Sequence, residues 1–148
     1  MPTLFSFGKE NRTIFLRTIN DDRQSYRYLF SLWDEYHQFS GSLTISFKEC
    51  TFLRQNAVAF LGGLIATIRN NGGYVTLDLE SMESNVRANL AQNGFLETCG
   101  YRDASWRGNS VSFRQDMLSL PPAIIRYLKE DWLRRHWLLV TTRLQDAV

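Results

Sequence analysis

A chain of 148 residues, 44% hydrophobic and 14% aromatic, can bury a core of its own and is too apolar to remain disordered. Its net charge of +2 is too small to signal a nucleic-acid partner. Cys50 and Cys99 stand far apart with no Cys-x-x-Cys pair, which argues against a disulfide framework or a zinc module and reads as free thiols.

The first element in chain order is a candidate strand at Leu4–Phe7, joined across Gly8-Lys9-Glu10-Asn11 to a firmer one at Arg12–Ile19, where polar and apolar residues alternate. Asn20-Asp21-Asp22 supplies N-cap chemistry for a helix reaching about Phe39. Its apolar stripe reads Tyr26, Leu29, Phe30, Trp33 and Tyr36 or His37. Leu43–Phe47 predicts a second strand, and Lys48 to Asn56 a loop. Asn56 is the expected N-cap of an apolar helix, Ala57–Arg69, that turns Val58, Leu61, Leu64, Ile65 and Ile68 inward and brings Gly62 or Gly63 against the sheet. Asn71-Gly72-Gly73 stops that helix with residues able to take positive φ, and Tyr74–Leu79 predicts the next strand.

Glu83–Asn93 reads as a third helix with Met82, Val86 and Leu90 inward, closed in Schellman fashion by Gly94-Phe95-Leu96. Tyr101–Gly108 is a polar loop, Asn109–Arg114 an edge-strand candidate, and Pro121-Pro122 opens a helix to about Arg135 that turns Ile124, Ile125, Leu128 and Trp132 inward. Residues 1–136 are expected to form one domain, and 137–148 a linker and the start of a following helix or domain. The longest apolar run, 57–68, is short of the roughly 20 residues a membrane helix needs. The first residues lack the basic flank and apolar core of a secretion signal, so a cytoplasmic location is expected.

Strand, helix, glycine turn, strand over Leu43–Leu79 is the crossover that a parallel strand pair requires, and it fixes an α/β class. This stretch, extended to Tyr101, resembles the STAS domain of sulfate-transporter tails and anti-sigma-factor antagonists. In that family a hydrophobic-Leu-Asp-Ser-Ser/Thr-Gly loop leads into the helix; here the segment is Phe52-Leu53-Arg54-Gln55-Asn56-Ala57. A Gly-hydrophobic step closes the family's next helix, as Gly94-Phe95-Leu96 does here. The resemblance implies a mixed β-sheet of about four to six strands with packed helices. Arg54, Asn56 and Ala57 hold the acidic, phosphoacceptor and glycine positions, so the phospho-switch that the resemblance would otherwise imply has no hydroxyl to act on. Together with Val86–Phe95 and the closing Leu144–Val148, the pattern is similar to the N-terminal STAS-like region of bacterial ATP-binding proteins. In those a histidine-kinase-type ATPase domain follows; its Asn box and glycine-rich boxes do not occur in these 148 residues.

Other features carry less chemistry. Asp78 and Glu80 share a predicted strand face and Glu83 a helix first turn, where capping and solvation account for carboxylates. His37 and His136 have no catalytic or metal-ligand spacing, and the glycine pairs form no phosphate cradle. Arg102, Trp106, Arg107 and Arg114, with Arg126 and Arg134-Arg135, form a band able to stack on and neutralise a nucleic acid. Asp103, Asp116, Glu130 and Asp131 interleave with it and favour a solvated face. A small-ligand or nucleotide-binding α/β domain is a further alternative. The sequence therefore predicts a regulatory, non-catalytic protein-interaction domain without cofactor or metal. Its surface is the segment Leu53, Arg54, Gln55, Asn56, Ala57 and Val58, and its partner a protein or an adjacent ATPase domain.

Overall fold

The computed structural model describes residues 10–102 together with 113–114, 125–127 and 130. The chain divides after Ala88 into two units. The first contains β1 (Asn11–Ile19), α1 (Arg23–Tyr36), β2 (Ser42–Leu53), α2 (Gln55–Asn70), β3 (Tyr74–Asp78) and a 3-10 turn at Leu79–Ser81. A third helix, α3 (Ser84–Gln92), starts in the first unit and continues into the second, which also holds the short α4 (Phe95–Thr98).

The class is α/β, and the three strands form one wholly parallel sheet in the order β1-β2-β3. Among the described residues this is a smaller sheet than the four to six mixed strands expected. The candidate Leu4–Phe7 lies outside the described residues, as does most of Asn109–Arg114. Phe113 and Arg114 belong to no strand: the Phe113 N–H is given to the Asn93 carbonyl and its ring packs edge-on against Phe95 at 5.0 Å.

Each strand is joined to the next by a helix, and crossovers of one hand that advance in one direction place both helices on the same face. There α1 and α2 touch, Trp33 meeting Phe60 edge-on at 6.2 Å. Period-2 alternation delivers Ile14, Ile45 and Leu77 to the helix side in one row, and Leu43 and Val75 in the next. From α2, Val58, Leu61, Leu64, Ile65 and Ile68 are all buried, as their spacing predicts, and Gly62 is buried with them. The opposite rows run Thr13–Thr44–Thr76 and Phe15–Ser46–Asp78; Phe15 is 53% exposed.

Three readings need correction. Lys48 to Leu53 is not a loop but the second half of β2, whose pairing with β1 slips from Phe15↔Ser46 to Arg17↔Glu49 and again to Ile19↔Leu53. The polar run hid the strand because bulges break its alternation. The hydroxyl of Thr18 replaces the lost ladder partner, accepting the Thr51 N–H at 2.9 Å. Second, α1 buries Ser25, Leu29, Leu32 and Tyr36, while Phe30 is 63% exposed and Tyr26 is also at the surface. Third, Ile125 is exposed rather than inward.

The turn after α2 follows its glycines. Gly72 takes φ +80°, and a Cβ on Gly73 would meet Ile68 Cγ2 at 2.7 Å. In the second unit Gly94, at φ 80°, ends α3. Only one of the two Schellman bonds forms, from the Gly94 N–H to the Ala91 carbonyl. The Phe95 N–H is taken instead by Asn93 Oδ1 at 2.9 Å, which starts α4.

Candidate functional site

In a parallel sheet every strand delivers its carboxyl end to the same edge, and this is where α/β proteins place ligands and partners. Here that edge gathers Asn20-Asp21-Asp22 after β1 and Arg54-Gln55-Asn56 after β2, with Ile19 paired to Leu53, while the shorter β3 ends at Asp78, level with Ser46.

The predicted surface divides sharply. Leu53, Ala57 and Val58 are core residues, at 6%, 0% and 1% exposure, whereas Arg54, Gln55 and Asn56 are exposed. The buried three anchor the outer three. Arg54 is the N-cap of α2, with extended backbone and no side-chain cap bond, and Asn56 lies inside the first turn. Asn56 is therefore not the cap. Its side chain is used across the surface: Nδ2 donates to the Tyr26 hydroxyl at 3.0 Å and to Asp21 Oδ1 at 3.3 Å. The Tyr26 hydroxyl donates to the same carboxylate oxygen at 3.4 Å. Arg54 Nε stands 3.7 Å from Asp21 Oδ2, and its guanidinium lies over the Phe52 ring at 5.1 Å. Asp21, Tyr26 and Phe52 thus complete a cluster of which the sequence reading held only half. The position of Asp21 in the loop after β1 is its available signal; the apolar stripe of the sequence assigns Tyr26 to the core, and the polar run around Phe52 reads as a loop.

Beside it, Asp22 caps α1, its carboxylate accepting the Ser25 N–H at 2.7 Å. That bond holds the Asp22 carboxyl below its ordinary pKa. The Ser25 hydroxyl in turn accepts the Asn20 N–H at 3.0 Å, a variant of the reciprocal capping box. A shallow cleft of about 220 Å³ lies alongside, lined by Arg17, Thr18, Asn20, Asp22 and Tyr28 among others. It is below the roughly 300–1,000 Å³ of pockets that enclose small ligands, and the Arg17 guanidinium is stacked over Tyr28 at 5.3 Å.

The remaining candidates do not converge. Asp78 is half-buried at the end of β3, but Glu80 has left the strand for the 3-10 turn, so the two do not share a strand face. Among the described residues no group of three His, Cys, Asp or Glu side chains could hold a metal ion. His37 stacks on Trp33 at 5.6 Å, with Nδ1 2.8 Å from the Trp33 carbonyl oxygen; His136 lies outside the described residues. Cys50 is buried, and burial pushes its thiol up to about 11, far from nucleophilic use. In the second unit Arg102 and Arg114 are exposed, Arg114 over the Tyr127 ring at 5.5 Å, while Trp106 and Arg107 lie outside the described residues. Among the described residues no helix is long and apolar enough to cross a membrane.

Comparison with family models, with curated proteins and with solved structures finds no match. The likeness to STAS-like regions stands on the residues quoted above alone.

Proposed function

We propose that this chain is a non-catalytic protein-interaction domain of a regulatory system and that it recognises its partner through the start of α2, with Arg54, Gln55 and Asn56 flanked by Asp21, Tyr26 and Phe52. The observation that carries this reading is the division of Leu53–Val58 into buried anchors and an exposed polar triplet, which holds recognition groups on a rigid element at the carboxyl edge of the sheet. The first turn of α2 has no acidic residue and no side-chain cap. The positive end of its dipole, together with Arg54, therefore favours an acidic face. Such a face belongs to an adjacent domain, of the histidine-kinase-type ATPase kind that the resemblance suggests, or to a separate protein.

Asp21 already occupies part of that role, so binding is an exchange in which the partner's carboxylate displaces Asp21 from Arg54. A photo-crosslinking residue at position 55 identifies the partner, and titration calorimetry then measures it. Arg54→Glu is expected to abolish association with the fold intact, because an exposed charge change costs little stability. Asp21→Asn is expected to tighten binding by up to about fivefold, the scale of one exposed ion pair. Unchanged affinity in the Arg54→Glu protein would reduce the cluster to a helix start.

A further inference from the structure

The apolar periodicity of α1 exceeds what its core needs. Leu29, Leu32 and Tyr36 face the sheet, yet Phe30, at mid-helix, is 63% exposed, and Trp33 and Tyr26 sit beside it toward α2. No charged residue stands on α2 between Gln55 and Ile68, so the α2 surface beside Trp33 and Phe60 is uncharged. An uncharged aromatic centre with charges at its rim is the composition of an interface.

The charges on α1 are arranged around that centre by sign. Arg23 and Arg27 lie on the N-terminal side of Phe30 and Asp34 on the C-terminal side, all exposed and on the same outward stripe at helical spacing. The midpoint between positions 27 and 34 falls beside Phe30. We propose that this face pairs with a second copy of the chain, two α1 helices crossing antiparallel about a two-fold axis at Phe30. Each Arg27 then meets the other copy's Asp34, and the aromatic rings fill the centre. The charge order specifies the arrangement: a parallel crossing would set like charge on like, whereas the two-fold antiparallel one makes both ends complementary at once. A 14-residue helix spans only about 21 Å. The contact therefore falls at the small end of specific interfaces, and the dimer is expected to be reversible, with a dissociation constant in the micromolar range. This surface meets the Arg54–Asn56 cluster only at Tyr26, and Arg54→Glu, which leaves Tyr26 in place, is expected to leave it unaffected.

Sedimentation equilibrium of the 148-residue chain from about 1 μM to 1 mM tests the proposal. The wild type is expected to pass from 17.2 kDa to twice that mass, and Phe30→Asp to remain at 17.2 kDa throughout. Arg27→Asp is expected to raise the dissociation constant about tenfold, because two attractive pairs become repulsive. The double exchange Arg27→Asp with Asp34→Arg, which restores both pairs in reverse, is expected to return it to near the wild-type value. The two exchange variants decide the question even where Phe30→Asp perturbs folding. A wild type that stays monomeric, or an Arg27→Asp defect that the second exchange does not repair, overturns the proposal.

Discussion

Asp22 shows how one carboxylate ties local structure to solution conditions. Its pKa is depressed because the ionised form accepts the Ser25 N–H at the start of α1. A depressed native pKa means that the unfolded state binds more protons. The stabilisation is therefore complete above the ordinary aspartate value, about 3.9, and lost as pH falls through the lower native value. Asp22→Asn keeps the acceptor and loses the titration. Thermal melts of the two proteins are expected to agree near pH 7 on a common scale, with the wild type falling more steeply below about pH 4. Parallel pH profiles would mean that the cap bond seen here contributes nothing when charged. Asp21, one residue earlier, has different partners: it faces Tyr26, Asn56 and Arg54, and so belongs to the proposed recognition cluster rather than to the cap of the helix.

At the scale of elements, the two helices separate what periodicity can and cannot tell. In α2 the apolar residues occupy one side and the small or polar ones the other, so the sequence stripe and the buried stripe coincide. In α1 the apolar residues spread over about half of the circumference, from Tyr28 and Leu32 through Tyr36, Leu29, Trp33 and Tyr26 to Phe30, and the charged residues hold the other half. The pattern then admits two faces, and the chosen one, through Ser25, Leu29, Leu32 and Tyr36, was the one that looked less aromatic. The second half of β2 was illegible for another reason: its pairing is set by bulges against β1, a long-range fact that no window of sequence contains. For the candidate site, the triplet Arg54–Asn56 could be read from the chain, whereas its coupling to Asp21 and Tyr26 required the sheet to bring two crossovers together. The adjacent glycines of α2 give the helix placement a direct test. A Cβ at Gly63 meets nothing within 4 Å, so Gly63→Ala removes a helix-interior glycine without a clash and is expected to stabilise by about 1 kcal/mol. That is about 3 °C in Tm for a chain of this size. Gly62 is buried, and Gly62→Leu is expected to cost about 1–3 kcal/mol through overpacking. Equal melting temperatures for the two variants would mean that α2 is rotated from the position described.

For the whole molecule, the arrangement of the sheet decides which backbone is most strongly held. Over Ser42–Ser46, β2 is paired on both sides, to β1 and to β3, so all its amides point at a neighbouring strand. In β1 and β3, each paired on one side among the described residues, only alternate amides do so. The helices cover one face of this sheet, while the Thr13–Thr44–Thr76 rows lie on the other; Thr13 and Thr76 are exposed and only Thr44 on the central strand is half-buried. Native-state hydrogen exchange is therefore expected to find the amides of Leu43, Thr44, Ile45 and Ser46 opening only with global unfolding, and β1 showing a two-residue alternation of slow and fast amides. The same measurement bears on the larger mixed sheet that the resemblance implies. A further strand paired to either edge would satisfy the outward amides and erase the alternation on that strand alone. Uniform protection along Asn11–Phe15 or Tyr74–Asp78 would thus replace the three-stranded sheet by a larger one and name the edge at which it grows. Alternation on both would make β1 and β3 true edges, the bulges opposite Arg17 and Ile19 and the five-residue length of β3 then serving to blunt them against unwanted pairing.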